Sequence, residues 1–331
     1  MTTKMPRSLG DQDLLLSIVI TTRNRRDDLV ECIESLVVAC RDVTFWEMLV
    51  INDNSSDGSE TVNLAEMGVT NGRIITSDVN LMMVKSRNVG ARAAQGAYVL
   101  FVDDDNIVQP DMVTLLLDFA QANPGYGMIG PAMWWIDPPG PALDHQHLNF
   151  YTGKTIGGVH KSDRDFLDSE GIPNIFMIPR HVFKECGYFD ESLIQTYTEP
   201  DFAFQIKRRG GYGCGILKTA YSLHRIYIKD NRTPRGLGGN FVQKGYCLLR
   251  NRSVMVRRYG CWRHKLVYVF LFSWFWPLAY SLIILPHKRF DLIKVYFRGW
   301  YDGMIYMWTG RLVNGLSPQR DGAPTEPKSV D

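Results

Sequence analysis

The chain has 331 residues, 45% apolar and 22% charged, a balance that suits a folded globular protein and excludes a disordered one. Its formal net charge of +2 excludes a general polyanion binder, so no nucleic-acid partner is expected. Six cysteines (Cys32, Cys40, Cys186, Cys214, Cys247 and Cys261) are scattered without a CxxC pair, which fits reduced cytosolic thiols better than a disulfide framework or a zinc site.

In chain order, residues 1–13 are polar and read as a flexible tail. Leu14 to Ile20 (LLLSIVI) is too short for a signal-peptide core and reads as a buried strand. "DDLVECIESLVVAC" then places Leu29, Cys32, Ile33, Leu36 and Val37 at helical spacing. A second strand, Met48 to Ile51, runs into a turn of Asn, Asp, Ser and Gly. "GRIITS" reads as a third strand and "MMVKSRNVGARAAQ" as a helix. Val99-Leu100-Phe101-Val102 is a fourth strand, and it leads straight into Asp103, Asp104 and Asp105. This alternation from Leu14 to Val113 predicts a parallel sheet covered by helices.

Ligands bind beyond the carboxyl ends of such strands. Three polar strand ends therefore converge on one rim: Thr21-Thr22-Arg23-Asn24, Asp53-Asn54-Ser55-Ser56-Asp57 and Asp103-Asp104-Asp105. Any one of them alone reads as a loop or a helix cap; three together favour a site. On extended backbone Asp103 and Asp105 share a side and Asp104 opposes them. Two hard carboxylates suit Mg²⁺ or Mn²⁺ carrying a diphosphate, whose departure a metal stabilises without proton transfer. Capping of the following helix is the weaker alternative, because Pro110 and Asp111 already start it.

Four segments, "SIVITTRNRRDDLVECIESL", "LVINDNSSDGS", "SRNVGARAAQGAYVLFVDDDN" and "CGYFDESL", resemble the inverting family 2 glycosyltransferases in family order. The likeness runs from Leu16 to His224 and implies the GT-A fold: an α/β, Rossmann-like, mostly parallel sheet covered by helices. It also implies site residues. Thr21 and Asn24 match the loop beside the nucleotide, and Asp53 the acid that accepts a nucleobase N–H. Arg87 and Asn88 match the Arg-Asn pair, with Arg87 near the diphosphate or base. Asp103 matches the acid near ribose and sugar, Asp105 the metal-binding acid of the DxD motif, and Asp104 between them joins the nucleotide-sugar set. Asp103 is also counted with Asp105 as a ligand of Mn²⁺ or Mg²⁺. His224 falls where several members place a further metal ligand; a satisfied structural histidine is the alternative.

The family base is the Asp of a Glu-Asp pair at a helix start. Here "QTYTEPDFAFQIKRRGGY" puts Glu199 on the base, Asp201 on the later acid, Thr198 in place of the usual Glu, and Gln205 where Arg is common. Pro200 suits a first helical residue, which would make Glu199 the N-cap, kept ionised by the helix dipole. Asp201 is the alternative base, and a plain capping acid is the bland reading of Glu199. The implied chemistry is in-line displacement with inversion. Trp134 and Trp135 divide evenly between packing and stacking on an acceptor sugar, and His145 and His147 read as solvated loop.

From Lys207 onward Lys and Arg become dense. Leu266 to Leu285 is free of charge over twenty residues, roughly 30 Å of helix, and is flanked by basic residues on both sides. With Pro277 near its middle, a re-entrant hairpin or interfacial pair is favoured over a single span, and "FDLIKVYFRGWYDGMIYMWTG" would lie along the interface. "YCLLRNRSVMVRRYG" and "FRGWYDGMIYMWTG" resemble the C-terminal parts of surface-glycan members, rhamnosyltransferase-like ones included. The expected organisation is a tail at 1–13, a GT-A domain at 14–255, a membrane-associated helical region at 256–312 and a tail at 313–331. The expected partners are a nucleotide-diphosphate sugar donor, a glycan or lipid-linked acceptor and membrane lipid at the cytoplasmic face; a homo-oligomer is left open. Two rivals stand beside this reading. A sugar nucleotidyltransferase would carry a Gly-rich triphosphate loop that "TTRNRRDD" lacks, and a non-catalytic nucleotide-sugar scaffold is suggested by the altered "TEPD".

Overall fold

The computed structural model describes residues 14–225, 237 and 242–315, so the two expected tails lie outside it apart from residues 313–315. By compactness the chain divides into two units, Met1–Asn149 with Lys154–Ile228, and Phe150–Gly153 with Lys229–Asp331.

The first unit starts as the hydrophobic pattern requires. Strand β1 (Leu16–Thr22) leads to helix α1 (Arg26–Ala39), β2 (Trp46–Asn52), β3 (Gly72–Thr76), α2 (Met82–Ala93) and β4 (Tyr98–Asp103). After the acidic turn come β5 (Asn106–Val108), α3 (Met112–Ala122), β6 (Tyr126–Trp135), β7 (Gly140–Leu143), β8 (His145–Asn149), β9 (Lys154–Gly158) and β10 (Phe166–Asp168). The unit closes with β11 (Ile175–Pro179), α4 (Arg180–Cys186), α5 (Thr198–Gly210) and β12 (Gly213–His224).

The main sheet runs β10-β12-β6-β11-β4-β1-β2-β3. Strands β3, β2, β1 and β4 are parallel, as the strand–helix alternation predicts. β11 enters antiparallel between β4 and β6, while β12 returns parallel to β6. Both faces are covered, so adjacent residues of one strand serve different cores. Ile18 and Ile20 of β1, with Leu100 and Val102 of β4, share one core with Leu29, Ile33 and Leu36 of α1 and Leu116 of α3. Val19, Val99 and Phe101 face the other way, toward Val84 and Ala91 of α2 and Phe183, Phe202 and Ile206 of α4 and α5. Continuous apolar strands are the sequence expression of that two-sided burial.

The second unit holds α6 (Val242–Tyr259), α7 (Trp262–Val267), α8 (Ser273–Ile284) and α9 (Phe290–Thr309). A π-helical stretch, Tyr268–Phe272, joins α7 to α8, making one helix of 26 residues from Trp262 to His287. By length and composition alone it is long and apolar enough to cross a membrane. Two expectations are corrected here. The domain boundary drawn at 255 falls inside α6, a continuous helix that belongs wholly to the second unit. Pro277 does not break the apolar run: the helix continues through it and turns only at Leu285–His287. Two serines of this helix back-bond to the carbonyl four residues earlier, Ser281 Oγ to that of Pro277 at 2.6 Å and Ser273 Oγ to that of Val269 at 2.8 Å.

Candidate active site

The C-terminal ends of β1, β2 and β4 form a rim by register: Thr21 lies beside Asp103 on one side and Ile51 on the other. The loops after β1 and β2 are knitted together by Asn24. Its backbone is left-handed (φ 51°), its Oδ1 accepts from Ser56 N at 2.8 Å, and its own N–H donates to Ser55 Oγ at 3.0 Å. Asp53 is buried, and its two carboxylate oxygens accept the backbone N–H groups of Leu81 and Met82 at the start of α2. Asn24 and Asp53, two of the three residues expected beside the nucleotide, thus shape the rim by these bonds.

The acidic triplet departs from the alternation expected of it. β4 ends at Asp103, and Asp104 and Asp105 form a turn, so the three side chains no longer alternate. Asp103 Oδ1 accepts from Arg87 at 2.8 Å. Asp104 and Asp105 instead share one Arg25 nitrogen, at 2.8 and 3.0 Å. Burial pushes the Asp104 carboxyl up to about 7, against the opposing pull of Arg25. Burial likewise raises Asp103, with Arg87 opposing.

His224, at the end of β12, brings Nδ1 to 3.4 Å from Asp105 Oδ1. That nitrogen is buried and has no hydrogen-bond partner among the described residues. A hard carboxylate beside an unsatisfied imidazole nitrogen fits Mn²⁺ or Mg²⁺, which commonly take one or two protein ligands and complete their shell with phosphate oxygens and water. Asp103 does not join them, because its carboxylate is turned to Arg87. Among the described residues no group of three or more His, Cys, Asp or Glu gathers as a metal site.

Arg87 is the hub. It is 2% exposed, and while one guanidinium nitrogen holds Asp103, the other holds Glu199 Oε1 at 2.5 Å. Burial alone would lower its pKa, but Asp103 and Glu199 outweigh burial and raise it, so it stays charged. Glu199 is not the N-cap that the Pro200 argument predicts. α5 begins at Thr198, preceded by Tyr197 at φ 61°, which puts Glu199 and Pro200 inside the first turn. Proline costs nothing there, since first-turn N–H groups lack helical partners anyway. Thr198 Oγ donates to Glu199 Oε2 at 2.8 Å, so the Thr in place of the usual Glu now supports the acid beside it. The backbone leading in is strained: Ile194, Thr196 and Tyr197 all have positive φ, which is costly for β-branched residues. Asp201 is 1% exposed, whereas the Glu199 side chain retains 14%, which favours Glu199 as the group a substrate can reach.

Asn88 needs a different role from the one expected. Its amide nitrogen donates to the Phe189 carbonyl and Glu191 Oε1, each at 2.9 Å, and its oxygen accepts from Phe189 N at 3.1 Å. This buried amide clamps α2 to the segment before α5 and is spent within the fold rather than on a donor. Gln205, where Arg is common, donates to the Cys186 and Tyr188 carbonyls at 2.8 and 3.1 Å. Trp134 is half-buried, packing with Tyr221, ring centroids 5.2 Å apart, and against the α2 side of the core. Trp135 is half-buried beside His224, at 5.8 Å between centroids. Arg25 was passed over in the sequence; a basic cluster directly after β1 with an acidic triplet on the neighbouring strand end was the available signal.

The model of the family described as Glycosyl transferase family 2 matches residues 17–187. An uncharacterized glycosyltransferase, YibD, of Escherichia coli K12 is 36% identical over 260 residues, covering 69% of this chain and 72% of that protein. A poly(ribitol-phosphate) beta-glucosyltransferase of Bacillus spizizenii is 30% identical over 110 residues, 33% of this chain and 17% of its own length. The chain spans less than two thirds of the length of most curated relatives it matches. In fold it is similar to the crystal structure of GalNAc-T7 with UDP, GalNAc and Mn²⁺, at TM-score 0.56 and 16% identity over 82% of this chain and 58% of that one.

Proposed function

Because the chain belongs to glycosyl transferase family 2, we propose that it moves a sugar from a nucleoside-diphosphate donor to a hydroxyl of a glycan or lipid-linked acceptor, inverting the anomeric carbon. The observation that carries this reading is Arg87, which ties the acid at the end of β4 to the carboxylate at the start of α5. One buried cation thereby holds a donor-side group and the candidate base in a single frame.

In this reading Glu199 accepts the proton of the acceptor hydroxyl as the oxygen attacks. Each Glu199 oxygen already receives one hydrogen bond, from Arg87 and Thr198, and each keeps a lone pair for the acceptor. The two donors fix the carboxylate in orientation. Asp105 and His224 would hold Mn²⁺ or Mg²⁺, which when bound would supply positive charge to the departing diphosphate. Arg25 beside Asp104 and Asp105 adds a second cation there. Asp53 and Asn24 shape the loops against which the base and ribose rest. The basic, apolar second unit supports a site of action at the cytoplasmic membrane face, where lipid-linked acceptors are found.

The test is a thermal-shift screen of UDP, GDP, dTDP and CDP with and without Mn²⁺, followed by transfer assays with the sugar donors of the base that binds. Metal-dependent stabilisation by one nucleotide, and turnover abolished in Glu199→Gln with nucleotide binding kept, support the reading. Turnover that survives Glu199→Gln overturns the base assignment. Binding with no turnover of any donor by the unmodified protein favours the scaffold.

A further inference from the structure

The long apolar helix of the second unit has two unlike faces. Tyr268, Val269, Ser273, Pro277, Tyr280 and Ile284 are buried, at three- and four-residue spacing. On the other side Phe270, Leu271, Trp274, Leu278, Leu282 and Leu285 are exposed by 48% to 69%, again at helical spacing. The buried face rests on charge. The Arg252 guanidinium of α6, itself 2% exposed, lies 4.3 Å from the Trp276 ring centroid and 5.2 Å from that of Tyr280, and donates to the Tyr280 hydroxyl. Tyr280 also packs on Tyr296 of α9, at 5.8 Å between centroids, Trp274 at the edge of the exposed stripe touches Trp300 at 4.1 Å, and α9 carries Lys294, Arg298 and Asp302.

This packing decides how the helix can meet lipid. A helix that crossed the bilayer with its neighbours in place would carry those ionised groups into the hydrocarbon. A helix lying flat need immerse only its exposed stripe. The charge pattern agrees. Arg263 and Lys265 stand at one end of the helix, Lys288 and Arg289 at the other, so the basic groups share one headgroup level only if the helix is parallel to the surface. Residues 242–315 carry twelve Lys and Arg against two acids, a formal charge of +10, which matches an anionic lipid surface and opposes a second copy of the same unit.

We infer that Trp262–His287 lies in the plane of one leaflet of an anionic phospholipid membrane, its exposed stripe among the upper acyl chains and both basic ends at the headgroups. The inference uses the second unit alone and is independent of the transfer chemistry, so it stands or falls without a donor or acceptor.

The full chain is tested by flotation with vesicles of phosphatidylcholine alone and of equal parts phosphatidylcholine and phosphatidylglycerol. At least about tenfold stronger partition onto the anionic vesicles, weakened by salt, is expected. The double variant Leu278→Glu with Leu282→Glu removes at least about tenfold of that partition, with its melting temperature unchanged because both positions are exposed. Depth separates flat from crossing. Cys261 is exposed and the other five cysteines are buried, so in a Cys261→Ser background a fluorophore can be placed at the exposed positions Leu266→Cys, Leu278→Cys or Leu285→Cys, near one end, the middle and the other end of the helix. Equal quenching at all three by shallow nitroxide lipids supports the inference. Deep quenching at Leu278→Cys with shallow quenching nearer the ends means a crossing helix and overturns it. So does failure to float, or lipid-free self-association that the double variant abolishes, which would make a second copy the occupant.

Discussion

Arg87 is buried between two carboxylates from different elements, and its loss leaves both acids facing each other without a cation. Arg87→Gln is therefore expected to cost about 3–5 kcal/mol in a urea melt, the usual penalty for breaking a buried pair. Glu199→Gln should lower kcat by at least about 100-fold in transfer assays and leave nucleotide affinity unchanged, because it removes a proton acceptor and not a donor contact. Asp201→Asn, at a position 1% exposed, should act first on the melting temperature. For His224, whose Nδ1 is buried without a hydrogen-bond partner among the described residues, replacement by Ala should raise the Mn²⁺ concentration needed for the nucleotide-dependent thermal shift by about 10–100-fold. The types and positions of these groups were readable from the chain, since strand ends and a helix start are local features. Their partners were not. Asn88 is spent on the Phe189 backbone, about a hundred residues further along, and nothing local to "SRNVG" reports that.

Elements in the first unit meet at close quarters where glycine allows it. A Cβ at Gly90 of α2 would come 2.2 Å from Val19 Cγ1 of β1, and one at Gly96 would come 2.5 Å from the Ser17 backbone nitrogen. Ala at either position is expected to destabilise by about 1–3 kcal/mol in denaturant unfolding, with Gly96 the costlier because backbone cannot swing aside. The strands and helices from β1 to β4 follow the apolar pattern to within a few residues. The acidic turn after β4 was misread as extended, because alternation describes a strand and says nothing about where it stops. Pro277 was read as a break for the complementary reason: its local preference is overridden by the packing of the buried helix face on which it lies.

At the scale of the molecule, each ionised group carried to the bilayer centre costs about 2.5–3.5 kcal/mol on insertion scales, so a crossing helix that kept Arg252 and the α9 charges beside it is disfavoured by several times that amount. Vesicle flotation sensitive to salt, and lost in Leu278→Glu with Leu282→Glu, is the expected outcome. What the chain determined by itself was the family, the parallel β1–β4 core, the polar rim beyond it and the apolar, basic C-terminal region, because each is written in periodicity, spacing or composition. Only the tertiary structure decided that Arg87 joins Asp103 to Glu199, that Asp105 pairs with His224 while Asp103 turns away, and that one face of Trp262–His287 is already occupied. Those outcomes depend on residues far apart in sequence competing for the same few partners, and that competition exists only once the chain is folded.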